Sequence, residues 1–154
     1  MAHVDPALPS HKTYQTIFDR PRRDASILMQ LRCGHVALNM FLWKIRACDS
    51  ALCSHCVSPE SVSHFLLHCR RYTSQRRKMR YKVGVAATSV PRLLSDAEVI
   101  PHTLRYIAET ARFEKYLDVG SNSQVPLILA CHCFAACATD IPCFRCAEAH
   151  SLRH

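Results

Sequence analysis

At 154 residues the chain has room for one modest domain, since single domains cluster at about 100–150 residues. Its 49% hydrophobic and 21% charged residues exclude a disordered polyelectrolyte, while three glycines and little strand-type alternation predict a mainly α fold. The net charge of +8 is one-sided: residues 1–82 hold 14 Lys/Arg against 5 Asp/Glu, and residues 83–154 hold 6 against 7, so a surface facing a polyanion is expected in the first part.

Residues 1–20 carry Pro6 and Pro9 and no sustained periodicity, and read as a linker or the end of something truncated upstream. The first ten are polar, without the basic segment and apolar run of a secretory signal, so an intracellular protein, nuclear or cytoplasmic, is expected. From Pro21 the pattern turns helical: Ala25, Leu28, Met29 and Arg32 fall on one side with Ile27 and Leu31 beside them, and Gly34 offers a C-terminal stop. Residues 36–46 place Leu38, Phe41, Leu42 and Ile45 on a common helical face flanked by Met40 and Trp43, and Trp43 is expected to pack in the core rather than hold a ligand.

Ten cysteines in a chain without a signal are better read as thiols and metal ligands than as a disulfide framework. Cys53 and Cys56, two residues apart, can turn back onto one ion, and His64 and Cys69 complete a tetrahedral set, C-x2-C-x7-H-x4-C. A set rich in thiolates with one imidazole suits Zn2+, and four protein ligands leave no open position, so a structural site is expected. The alternative is that these are ordinary buried cysteines near a core histidine. His55, inside the Cys-x2-Cys turn, and His68, beside Cys69, are expected to be exposed or to support the ligands from outside. Ser58-Pro59-Glu60 has the form of a helix start, a hydroxyl cap followed by proline and a carboxylate, so a helix is expected to begin just after Cys56 and carry His64 towards Cys69.

Next come Arg70, Arg71, Arg76, Arg77, Lys78, Arg80 and Lys82, with no acidic residue among them, on a helix closed by Gly84. Tyr72, Met79 and Tyr81 compete for its packed face, and at about 100° per residue the cations surround much of it, which favours phosphate contacts over base-specific reading. Ser95-Asp96-Ala97-Glu98 has the form of a capping box, and Leu104, Ile107, Ala108 and Ala111 predict a further short helix after Pro101. The most apolar stretch, residues 125–138, is shorter than the ~20 residues needed to span a bilayer, so no membrane span is expected. Cys131, His132, Cys133, Cys137, Cys143, Cys146 and His150 form a second, irregular group in which no pairing stands out. The expected organisation is a linker over 1–20, a helical zinc-knuckle domain over 21–84, a helical extension over 85–118 and a poorly ordered Cys-rich tail over 119–154.

The stretch Arg22-Arg23-Asp24-Ala25-Ser26-Ile27-Leu28-Met29-Gln30-Leu31-Arg32-Cys33-Gly34-His35, leading through Leu38-Asn39 to His64-Phe65-Leu66-Leu67-His68-Cys69, resembles the C-terminal end of non-LTR (LINE-type) retrotransposon reverse transcriptases of fungal genomes. In that family the segment follows the polymerase and often an RNase H domain, with a helical Leu-Arg-x-Gly-His stretch before a zinc-binding knuckle. The resemblance covers about residues 20–113, weakens after Lys82 and stops near Glu114. Cys33 stands where the family usually has threonine, and Arg70 where proline is common; neither change removes a ligand. The resemblance implies a non-catalytic piece of a larger protein that grips template RNA or target DNA.

The residues agree with that implication. A polymerase needs clustered aspartates, typically in a Tyr-x-Asp-Asp turn, to hold two metal ions, and this chain's acidic residues are scattered singly. No G-x-S-x-G sequence frames its serines. No enzyme activity and no small-molecule substrate are therefore expected. The leading expectation is a zinc-stabilised module that binds RNA or DNA through the phosphate backbone; the alternative is a zinc-stabilised protein-interaction or structural domain in which residues 70–82 are merely solvated.

Overall fold

A computed structural model of the chain describes residues 11–114, and the Cys-rich tail expected over 119–154 lies outside them. Helix α1 (His11–Phe18) occupies part of the segment that reads as a linker. One side chain explains its order: Ile17 is fully buried, and α1 packs on α2 (Arg22–Cys33) while Tyr14 stacks on Phe18 with centroids 6.0 Å apart. Helix α2 follows the predicted pattern, burying Ala25, Ile27, Leu28, Met29 and Leu31. Gly34 ends it in the left-handed region at φ 70°, where the missing Cβ costs nothing, and its N–H donates to the carbonyl of Leu31. Arg32 is buried as well: its guanidinium donates to the Leu94 carbonyl at 3.1 Å and to the Ser95 hydroxyl, tying α2 to α5 (Val90–Ser95).

Helix α3 (Asn39–Lys44) buries Leu42, and Leu38 just before it. A helix of six residues covers only a narrow arc, and Trp43, about 100° round from Leu42, is 55% exposed. The expectation that Trp43 packs in the core is therefore corrected. After the cysteine-histidine segment come a 3-10 turn (Arg70–Tyr72), which holds Arg70 and Arg71 ahead of the helix predicted to carry them, then α4 (Thr73–Val83), a second 3-10 turn (Gly84–Thr88), α5 and α6 (Ile100–Thr110). Gly84 closes α4 at φ 58°, as its position predicts.

Helix α6 runs along α4, but its inward face is Ile100, Thr103, Tyr106, Ile107 and Thr110. Of the residues expected inward, Ile107 is buried and Leu104 half-buried, whereas Ala108 and Ala111 are exposed. Tyr106 sets this rotation, because its hydroxyl donates to the Phe65 carbonyl at 2.6 Å inside the core. Phe65 is the hub of an aromatic cluster, with ring centroids 5.4 Å from Tyr72, 5.4 Å from Tyr106 and 5.2 Å from Phe113. The core thus crosses residue 84, and residues on both sides of that expected boundary share it. Before α6 the Asp96 carboxylate accepts the Glu98 N–H at 3.1 Å, and the helix begins at Ile100. Among the described residues the fold is helical apart from one isolated antiparallel bridge, Leu52 to Pro59, and no helix is long and apolar enough to cross a membrane.

Candidate metal centre

The bridge between Leu52 and Pro59 closes a tight hairpin. The Cys53 N–H donates to the Ser58 carbonyl at 2.8 Å, the Val57 N–H to the Cys53 carbonyl at 3.0 Å, and the Glu60 N–H to the Ala51 carbonyl at 2.9 Å. This turn brings the Cys53 and Cys56 thiols to one side. It also holds Val57 at φ 53°, a region costly for a β-branched residue. Ser58-Pro59-Glu60 therefore belongs to the hairpin, and the expected helix start after Cys56 is displaced to Val62. Ser61 supplies the cap, its hydroxyl accepting the His64 N–H at 3.1 Å.

The segment that follows is wound as a π-helix, His64–His68, closed by the Cys69 N–H donating to the His64 carbonyl at 2.7 Å. In an α-helix, residues five apart lie about 140° apart around the axis, too far to share one small ion. The wider i→i+5 winding draws His64 and Cys69 towards the same side. The result is convergence: the ligand atoms of Cys53, Cys56, His64 and Cys69 all lie within 4.8 Å of one another. The sulfur of Cys69 stands 3.8 Å from that of Cys53 and 3.8 Å from that of Cys56. A tetrahedron with metal–sulfur bonds of ~2.3 Å has edges of about 3.8 Å. The Nε2 atom of His64 is buried and makes no hydrogen bond, the state of a ligand nitrogen whose partner is an ion.

The surroundings suit such a site. Burial holds His64 below its ordinary 6.5, so its imidazole is neutral and able to ligate near neutral pH. Burial pushes the Cys69 thiol up to about 11, whereas the Arg70 backbone N–H, 3.2 Å from the Cys56 sulfur, lowers Cys56 from its ordinary 9.0. Cys53, Cys69 and His64 are buried and Cys56 half-buried, which matches the predicted ligand set residue for residue. His55 and His68 are exposed.

Two supporting interactions had no local signal in the sequence. Glu60 is buried and takes Arg112 in a two-point grip at 2.7 and 3.0 Å while accepting the Asn39 N–H at 2.8 Å. One carboxylate thus clamps the hairpin to the start of α3 and to the segment after α6. Arg76 is only 5% exposed and its guanidinium donates to the Cys69 carbonyl. This corrects its expected place among surface cations: Arg76 shares the inward face of α4 with Met79 and braces the backbone at Cys69. Arg70, Arg71, Arg77, Lys78, Arg80 and Lys82 are exposed. Lys78 pairs with Glu109 of α6 at 3.2 Å, and Arg80 reaches the Leu67 carbonyl at 3.5 Å. Tyr81, expected to compete for the packed face, is 85% exposed. Cys131, His132, Cys133, Cys137, Cys143, Cys146 and His150 lie outside the described residues.

These features define a mainly helical domain built around a Cys3His cluster that could hold one metal ion. No family model, no curated protein and no solved structure matches the chain.

Proposed function

We propose that the chain binds a single zinc ion through Cys53, Cys56, His64 and Cys69 as a structural centre, and holds nucleic acid by its phosphates through the cations that follow. The observation carrying the first half is the pair of 3.8 Å sulfur separations beside a buried, unbonded imidazole nitrogen, a spacing suited to tetrahedral zinc and a donor set of the softness zinc prefers. Four protein ligands leave no position for substrate or an activated water, so the ion's work is to supply folding free energy to residues 51–69. The second half is supported by Arg70, Arg71, Arg77, Lys78, Arg80 and Lys82, all exposed within thirteen positions of one another directly after the last ligand. With the motif resemblance described above, this is the reading of a non-catalytic C-terminal part of a LINE-type reverse transcriptase.

A second reading, a zinc-stabilised protein-interaction domain, draws on the exposed apolar side chains Met40, Trp43, Leu52 and Val57 on α3 and the hairpin. One pair of measurements tests both halves. Metal analysis of the purified chain should give one zinc, and Cys53→Ser should lose it; no metal in the parent would refute the centre. Affinity for a mixed-sequence oligonucleotide should fall steeply with salt, by about 0.7 log units per log unit of salt for each single-strand phosphate engaged. Binding that ignores salt, or fails even at low salt, would favour the protein-interaction reading.

A further inference from the structure

The packing of α4 against α6 leaves a groove between their outer edges, lined on one bank by Arg77, Lys78, Tyr81 and Lys82 and on the other by His102 and Arg105, with Tyr106 beneath. Tyr81 stands out here. It lies about 160° round the helix from Met79, away from the face that packs, and the core is complete without it. A tyrosine ring normally repays its size by burial, yet this one is presented to solvent with the Lys82 ammonium 5.7 Å from its centroid. The groove is also cationic. Its one carboxylate, Glu109, is held by Arg105 at 3.0 Å and by Lys78 at 3.2 Å, which leaves a net positive charge from Arg77, Lys78, Lys82 and Arg105.

An exposed aromatic ring among cations matches one kind of polyanion better than others. In a duplex the base faces are stacked on one another, and a protein meets only edges and phosphates. In a single strand each base has a face free to lie on a ring while its phosphates meet the cations alongside. An acidic peptide would satisfy the charges but leave the ring without a role. We infer that the α4–α6 groove is a single-strand binding surface, in which Tyr81 stacks on a base and Arg77, Lys82 and Arg105 hold the flanking phosphates. This rests on the phosphate-binding reading above and adds its preferred substrate: single-stranded nucleic acid, RNA and DNA alike, because base faces and phosphates are common to both.

The test compares the zinc-loaded full chain with Tyr81→Ala, Tyr81→Phe and Lys82→Ala variants, by fluorescence anisotropy at low salt. The probes are a twelve-nucleotide oligo-U, the matching oligo-dT, a hairpin duplex of equal phosphate number and a poly-glutamate peptide. Tyr81→Ala should bind both single strands about 5- to 150-fold more weakly, the range expected for losing one aromatic stack, with duplex binding nearly unchanged. Tyr81→Phe should restore single-strand binding. The salt slope should stay as in the parent for Tyr81→Ala and become shallower for Lys82→Ala, since of these two residues the lysine alone meets a phosphate. Because Tyr81 is exposed, zinc content and melting temperature serve as controls and should not move. Equal binding of single strands by Tyr81→Ala and the parent would overturn the stacking while leaving the phosphate reading intact. A parent that binds neither strand nor duplex would overturn both, and tighter binding of poly-glutamate than of either single strand would make the groove a peptide site.

Discussion

Residues 51–69 and residues 70–83 adjoin along the chain, and both are dense in side chains able to do chemistry, but they organise them in opposite ways. In the first, a hairpin and a π-wound turn aim four ligand atoms at one point, within 4.8 Å of each other. In the second, a 3-10 turn holding Arg70 and Arg71 leads into one helix, which spreads its cations around its outer surface and turns one of them, Arg76, inward. A ligand set must converge, so its spacing along the chain is constrained and readable. A run of cations obeys no such constraint, and membership in the run does not tell which residue is exposed.

The comparison is broken most decisively by removing the metal. Chelation should unfold the segment around residues 51–69 and disorganise the Phe65 cluster, because closed zinc sites supply ~10 kcal/mol or more to small folds. His64→Ala should act in the same direction. Circular dichroism and thermal melting with and without EDTA provide the check; a melt indifferent to both would mean that the helices hold the hairpin without an ion.

Next in size is the contrast within α4 itself. Arg76→Ala removes a charge-assisted bond from the buried Cys69 carbonyl and should cost about 1.5–3 kcal/mol, whereas Arg77→Ala, one residue on and exposed, should stay within about 0.5 kcal/mol. Urea denaturation of the zinc-loaded variants would separate them. Nucleic-acid binding should respond in the reverse order, Arg77→Ala giving the shallower salt slope. Equal stabilities for the two variants would return Arg76 to the surface set.

A smaller effect sharpens the role of the centre. His64 is held below its ordinary 6.5, chiefly by burial, so it binds a proton less readily folded than unfolded. In metal-free protein its contribution to stability is therefore full above about pH 6.5 and is lost as the pH falls through the depressed value. With metal the direction is the same and larger: Cys69, pushed up to about 11, must surrender its proton to ligate, so affinity should rise with pH and binding should release protons. Competition titrations between about pH 5.5 and 8 would reveal this; an affinity independent of pH would exclude the thiol-imidazole set. Smallest of all, Val57→Asn should stabilise by about 1 kcal/mol, since asparagine tolerates φ 53° far better than valine and the side chain is exposed. A melting temperature unchanged or lowered by the substitution would show that the hairpin does not store that strain.

Local patterns were legible wherever a residue acts through its chain neighbours. The apolar spacing of α2 with its Gly34 stop, the end of α4 at Gly84 and the clustering of Cys53, Cys56, His64 and Cys69 all follow from periodicity, a glycine's freedom at positive φ, or the reach of thiolates two residues apart. The helix start is not legible in the same way, because serine, proline and glutamate satisfy a hairpin as readily as a helix cap, and the choice falls to the Leu52–Pro59 bridge and to Glu60's partners. Only tertiary structure could decide those partners, since Arg112 lies fifty-two positions away. It also decided the order of α1 through Ile17, the outward turn of Trp43 and Tyr81, and the inward turn of Arg76. It decided the π winding too, without which His64 and Cys69 would sit well apart around an ordinary helix. In each case the energy that matters is burial or a long-range bond, and such energies are set by what the rest of the chain brings alongside rather than by the residue's immediate neighbours.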